Sequence, residues 1–277
     1  MTDARVSCSE YSFPAVAGQD ARIGIVKLLG FELVDLALFL PDGAGLVADP
    51  GGVAAELRAS LERHGLASED LFLSIGDTVE EIAPNQRDPG LRERGRCEFS
   101  AAARVASELG IPGLTILPGV SWAEDEATSW MVCVEELAWR VEQAEALGVQ
   151  VRIEAHAGSI VALPELARRL CAEVPGLRLT LDVSHFEVQA VTLDRVLELV
   201  PLAAHLHVRA AKPGAIQIRW RDNETDFAAV VDALRAADYR GGYCVEYVPM
   251  PKWRCDEMDV VTEAVATRAG LAELGVR

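Results

Sequence analysis

The sequence predicts an α/β protein, a single domain closed as a (β/α)8 barrel, and three observations predict it. Eight short β-branched or apolar runs bounded by Gly, Pro or Asp alternate with eight longer stretches of helical spacing. Spread over 277 residues, these units average about 35 residues each, close to the size of a βαβ unit. No linker, charge block or low-complexity segment divides the chain. Strict alternation implies parallel strands joined by right-handed crossovers. The competing doubly wound open sheet usually carries a Gly-rich phosphate turn after its first strand; here that turn reads SFPAVAG, without the glycine pattern.

In chain order the expected strands are RVSCSEY (5–11), FELVDLALF (31–39), DLFLSIG (70–76), GLTILPG (113–119), VQVRIEA (149–155), LRLTLDV (177–183), AAHLHVR (203–209) and GYCVEYV (242–248). The expected helices cover 20–30, 54–65, 96–110, 129–148, 163–176, 193–200, 226–242 and 258–275. In 54–65, Leu57 and Leu61 share a stripe that stops at Gly65. In 96–110, Phe99, Ala103, Ala106 and Leu109 recur three or four apart before Gly110. The stretch 20–30 is also rich enough in Ile and Val to make a strand.

Composition removes several classes of function. With 26 basic and 43 acidic residues the chain carries a formal charge of −17, which opposes binding to nucleic acid or to an anionic membrane surface. No run approaches the ~18 apolar residues of a spanning helix. The N-terminal MTDARVSCSEYSFP lacks the pattern of a secretory signal. Six cysteines stand singly, with no C-x-x-C pair, and read as free thiols. A cytoplasmic location is the expectation.

Barrel active sites are built at the C-terminal ends of the strands. Four consecutive expected strands end in an ionisable residue: Glu154, Asp182, His207 and Glu246, within a half of the chain spanning roughly 149–250. One such acid is ordinarily a salt-bridge partner or helix cap. Four in succession at one mouth would repel one another without a cation between them. The oxygen-rich, single-imidazole set suits one divalent metal ion, Mn2+ or Mg2+ first, with Co2+, Fe2+ or Zn2+ also compatible. His185, three residues after Asp182, falls in the loop above and is placed to hold a substrate oxygen. His156 shares the side of Glu154, as a substrate contact or a support. His205 points like His207 but one layer deeper, as a structural imidazole, and His64 caps a helix end. In HVRAAKPGAIQIRW, Arg209, Lys212, Gln217 and Arg219 form a basic stretch; Arg209 and Lys212 are candidates for binding a substrate anion, against the plainer reading of a loop paired with the chain's many acids. Tyr11, Phe13, Asn85, Arg87, Trp122 and Trp253 sit in loops at the expected mouth as rim contacts or loop anchors, with no role assigned.

These residues resemble the xylose isomerase-like TIM barrel family, which includes sugar phosphate isomerases/epimerases and ketohexose 3-epimerases. The resemblance rests on Glu154, the Asp182-x-x-His185 pair, the His205-x-His207 doublet and Glu246, in that order. It implies that Glu154, Asp182, His207 and Glu246 are the metal ligands. It further implies that His185 binds a substrate hydroxyl and that Glu154 and Glu246 double as acid and base. Two family residues that grip the end of a free ketohexose are replaced, by Ile160 and Pro213.

The constellation permits an isomerase or epimerase that works through an enediolate on a small polyhydroxylated substrate, neutral or anionic, with two opposed carboxylates moving the proton. A dehydratase or related lyase uses the same enediolate. A non-catalytic ligand-binding barrel would hold no metal, and a metal-dependent endonuclease would need more than five histidines and less negative charge. Enzymes resembling this one are often homo-oligomers, although no exposed stripe marks an interface.

Overall fold

The computed structural model describes residues 5–39 and 45–277. The first four residues of the N-terminal segment read above lie outside that range. Among the described residues, eight parallel strands close into a barrel in chain order. They are β1 (Val6–Ser9), β2 (Leu33–Phe39), β3 (Asp70–Ser74), β4 (Gly113–Ile116), β5 (Gln150–Glu154), β6 (Arg178–Asp182), β7 (Ala203–Val208) and β8 (Tyr243–Val245). The ring closes because β8 pairs with β1, Tyr243 standing opposite Val6. No helix among the described residues is long and apolar enough to cross a membrane.

Each expected helix is present, although several begin earlier than the apolar periodicity indicates. The helices Pro50–His64 and Pro89–Leu109 start on Asp-Pro steps. There the carboxylates of Asp49 and Asp88 accept backbone N–H groups of the first turn, and the proline has no N–H to leave unsatisfied. Both helices end on a left-handed glycine, Gly65 (φ 62°) and Gly110 (φ 71°). The ambiguous first stretch is the helix Gln19–Leu28. The stretch 193–200 is shorter than expected, a helix over Leu193–Leu197 followed by a 3-10 turn at Val200–Leu202. Pro201 denies a longer helix the N–H it would need.

Side chains alternate between the barrel interior and the helical shell. Ile153, Leu181, Leu206 and Val245 are the fully buried outward members in the second half. Burying each contributes roughly 1.5–3 kcal/mol. Their inward neighbours are polar, with Arg152, Thr180, His205 and Cys244 standing two residues before Glu154, Asp182, His207 and Glu246 respectively. This layer is paired in part within itself: Arg152 pairs with Asp70 at 2.9 Å, Thr180 with Thr115 at 2.6 Å, and His205 with Asp35 at 2.5 Å, while Asp35 Oδ1, Asp70 Oδ2, Arg152 Nε and His205 Nδ1 are buried without a hydrogen-bond partner. Gly113 is required here, because a Cβ at that position would overlap the Arg152 guanidinium. The barrel therefore holds a polar floor beneath its mouth, where (β/α)8 interiors are usually branched aliphatic.

Candidate active site

The site forms where β5 to β8 end. Glu154 closes β5, Asp182 closes β6, His207 lies one residue from the end of β7, and Glu246 follows β8. All four are buried, and one ligating atom from each lies within 4.8 Å of the others. The His207 ring is the hub, its Nδ1 lying 2.6 Å from Glu154 Oε1 and 3.2 Å from Glu246 Oε2. Burial opposes the charged imidazolium, yet Glu246 and Glu154 outweigh it and hold the His207 pKa well above the ordinary histidine value.

Asp182 is gripped from two directions. Its Oδ1 accepts the backbone N–H of Ser184 at 2.9 Å and the Ser184 hydroxyl at 2.6 Å. Its Oδ2 accepts from Arg209 Nη2 at 2.5 Å. Burial by itself would raise this carboxyl; the Arg209 guanidinium, followed by His185, Ser184 and His207, keeps its pKa below the usual aspartate value. Arg209 also donates Nε–H to Ser184 Oγ at 2.9 Å and approaches His185 Nε2 at 3.0 Å. A guanidinium only donates, so His185 Nε2 is the acceptor in that contact. Burial, with Arg209 and His156 beside it and against the pull of Asp182, drives the His185 pKa well below the ordinary value. His185 is thus a neutral imidazole at the edge of the cluster. His156 is buried next to it with ring centroids 5.6 Å apart, and its Nδ1 lies 3.0 Å from Ala157 O.

The basic stretch after β7 disperses in the fold. Arg209 is drawn into the carboxylate cluster and is only 5% exposed. Lys212 is exposed at the turn it forms with Ala215. Buried Gln217 ties the loop after β8 by donating to Val248 O and Cys255 O, and exposed Arg219 pairs with Asp222. Among the described residues no contact joins Lys212 to the four ligands. Several of the rim residues are anchors. Asn85, fully buried, holds the backbone of Val120 and Ser129, and Arg87 pairs with Glu124 over the Trp122 ring. His64 lies in the last turn of its helix, as expected, and its Nε2 lies 3.1 Å from Asp20.

Two participants, Ser184 and Phe72, were not legible beforehand, and Tyr11, read only as a rim contact or loop anchor, joins them. Ser184 orients Asp182, and the only sequence cue is a hydroxyl two residues after the acid. Phe72 of β3 packs edge-on to His207 at 6.4 Å, and Tyr11 packs on Phe72 at 5.8 Å. The Tyr11 phenol is raised in pKa by burial and then by Glu246 and Glu154, which places it within their field. Phe72 has no chain-local signal that distinguishes it from core.

Three carboxylates stand against one guanidinium and one imidazole, in a buried space whose donor atoms are close enough to converge on a single ion. The donor chemistry fits a divalent cation held by Glu154, Asp182, His207 and Glu246.

Known proteins align with this architecture. A protein of Escherichia coli K12 assigned as an L-ribulose-5-phosphate 3-epimerase is 26% identical over 240 residues, spanning 81% of this chain and 82% of that protein. The 2-epi-5-epi-valiolone 7-phosphate 2-epimerase of an Actinoplanes species is 29% identical over 164 residues, spanning 58% of this chain and 56% of its own. The crystal structure of D-psicose 3-epimerase from Clostridium cellulolyticum, with D-tagatose, superposes with a TM-score of 0.77 at 16% identity, covering 98% of this chain and 99% of that one. That last likeness is one of fold. The model of the xylose isomerase-like TIM barrel matches residues 23–266, and the chain belongs to that family.

Proposed function

We propose that the protein is a divalent-metal-dependent epimerase or isomerase of a small polyhydroxylated carbonyl substrate, a sugar or sugar phosphate, acting by proton transfer through an enediolate. The observation that carries this reading is the convergence of Glu154, Asp182, His207 and Glu246 within 4.8 Å at the barrel mouth. Two relatives whose names specify phosphorylated substrates and epimerase activity support it, and they favour an anionic substrate over a free ketohexose. Nothing at the site favours a dehydratase. Mn2+ or Mg2+ is the ion of this reading, because three of the four donors are carboxylate oxygens. The reading keeps the cytoplasmic location expected from the sequence.

In this mechanism Glu154 and Glu246 come from strands three places apart and flank His207. One removes the proton from the carbon beside the carbonyl; the other, as its conjugate acid, returns a proton to the opposite face or to the neighbouring carbon. A divalent ion held by Glu154, Asp182, His207 and Glu246 would supply Lewis acidity, the charge stabilisation an enediolate needs. Asp182 stays ionised because Arg209 and Ser184 hold both of its oxygens. His185 is neutral and its ring meets a substrate hydroxyl, and His156 supports it. Arg209 presents its remaining N–H groups to substrate oxygens, and Lys212 attracts the substrate anion at the rim. The aromatic wall of Phe72 and Tyr11 excludes water, which strengthens every charge interaction inside.

The test is turnover in D2O with L-ribulose 5-phosphate and with free ketohexoses such as D-psicose and D-tagatose. Deuterium is expected at the reacting carbon, in product or recovered substrate. Glu154→Gln and Glu246→Gln should each lose more than the ~10²–10⁴-fold typical of a general acid–base group, since the charge at the metal changes as well. Product of unchanged mass distinguishes isomerisation from loss of water. Normal turnover by both Gln variants would overturn the acid–base assignment.

A further inference from the structure

The carboxylate-rich cluster does not exhaust the ligating groups inside the barrel. Asp35 of β2, His205 of β7 and Cys244 of β8, together with His207, form a second group, all buried, whose donor atoms also lie within 4.8 Å of one another. Cys244 is the cross-strand neighbour of His207. The rings of His205 and His207 meet edge to face, centroids 5.7 Å apart. Asp35 Oδ2 touches His205 Nε2 at 2.5 Å, while the other carboxylate oxygen, Asp35 Oδ1, is buried without a hydrogen-bond partner. The proposed reaction uses none of Asp35, His205 or Cys244.

The two groups differ in kind. The upper one offers three carboxylates and one imidazole, a hard set. The lower one offers a thiol, two imidazoles and a single carboxylate, the donors preferred by Zn2+ and Co2+. We propose that the lower group is a second metal site of softer character, which takes Zn2+ or Co2+ through Asp35, His205, His207 and Cys244. Zinc bonds of 2.0–2.3 Å in a tetrahedron hold the donor atoms roughly 3.3–3.8 Å apart. Closing from the observed spacing therefore needs only small side-chain shifts. Binding displaces to solvent the Cys244 thiol proton and any proton carried by the ring nitrogens of His205 and His207 that take the ion, and forms one metal–sulfur and two metal–nitrogen bonds beside the Asp35 carboxylate. A divalent charge favours the thiolate that this bond requires.

His207 belongs to both groups. Its Nδ1 faces Glu154 and Glu246, which leaves Nε2 for the lower group. A neutral imidazole has one lone pair, so His207 serves one ion at a time and the two sites compete. Resting on the activity proposed above, an ion in the lower site takes a ligand from the upper one and inhibits.

Cobalt is the probe, added to the metal-free full chain. Thiolate ligation of Co2+ gives an intense near-ultraviolet charge-transfer band that carboxylate and imidazole ligands do not produce. The band is expected in the wild type, is displaced by Zn2+, and persists in Asp182→Ala. It is lost in Cys244→Ser, which still binds Co2+ at the upper site. Asp35→Asn, which keeps the thiol, should need more Co2+ to develop the band, and it carries the test if Cys244→Ser does not fold. Absence of the band from the wild type at saturating Co2+ overturns the proposal, and so does a band that survives in Cys244→Ser or is indifferent to Asp35→Asn. These readouts are independent of turnover, so a failed epimerase assay with the band intact rejects the activity and leaves the lower site standing.

Discussion

Strands β1–β4 bring Ala37, Phe39, Phe72 and Leu117 to the barrel mouth, with Tyr11, Val79 and Ile82 packed on them, whereas β5–β8 bring Glu154, Asp182, His207 and Glu246. The first set needs no partners beyond its own apolar contacts. The second is assembled against electrostatic repulsion and holds together through Arg209, Ser184 and the imidazole of His207. Its neighbour makes that arrangement more consequential. Phe72 lies edge-on to the His207 ring, so the acids face a dry wall on one side, where charge interactions are screened less than in water. Stability is concentrated in one half of the mouth and chemistry in the other.

That division can be broken from either side. The largest effect is expected from Asp182→Ala, which removes an anionic ligand and strands Arg209. Activity should fall by orders of magnitude and metal content, read by elemental analysis, should fall with it. Full metal occupancy with full activity would remove Asp182 from the ligand set. On the apolar side, Phe72→Ala deletes a ring that is 7% exposed. A stability loss of about 3–5 kcal/mol is expected in denaturant unfolding, with metal still bound. A Phe72→Ala protein that keeps its stability and loses its metal would invert the comparison.

A third test uses a buried acid beside the apolar wall. Glu10 accepts from Gln19, from the backbone N–H of Ala37 and from Arg22 at 3.1 Å. Burial pushes its pKa up to about 7, with those partners only partly opposing the shift. The folded protein therefore binds this proton more tightly than the unfolded chain. Its contribution to stability is full below the ordinary glutamate value and is lost as pH rises through about 7. Thermal melts from pH 4.5 to 7.5 should show that decline, and Glu10→Gln should flatten it. An unchanged slope in the variant would assign the pH dependence elsewhere. The smallest effect belongs to Lys212→Ala. If this exposed cation draws in a substrate anion, KM should rise a few-fold, with kcat nearly unchanged, and the difference should shrink at high salt. An unchanged KM for a phosphorylated substrate would return Lys212 to the solvated surface.

Much of this was legible in the chain itself. The alternation of runs and helical stretches determined eight parallel strands and their order, because a buried parallel strand must be apolar and a crossover helix must be amphipathic. An ionisable residue at the end of each of four apolar runs stood out for the same reason: such groups are costly unless a shared environment satisfies them. The helix starts at Asp49-Pro50 and Asp88-Pro89 were also written locally, in capping signals that apolar periodicity passes over.

What the chain could not display is which side chains meet across strands. Arg209 reads as one member of a basic loop, yet the curvature of the barrel turns it inward onto Asp182, where a guanidinium is stabilised by carboxylates distant in sequence. The pairing of β6 with β7 is the sharper case. Leu179 stands opposite Ala203, but Thr180 stands opposite His205, so β7 carries one extra residue at that step. Without that bulge Asp182 would pair with Leu206, which faces the helical shell; with it, Asp182 pairs with His207 and both point into the barrel. Side chains alternate with a period of two, so a shift of one residue decides whether two ligands share a face. Sequence determined that an acid and an imidazole end neighbouring strands, and only the closed sheet, through its register, decided that they face each other.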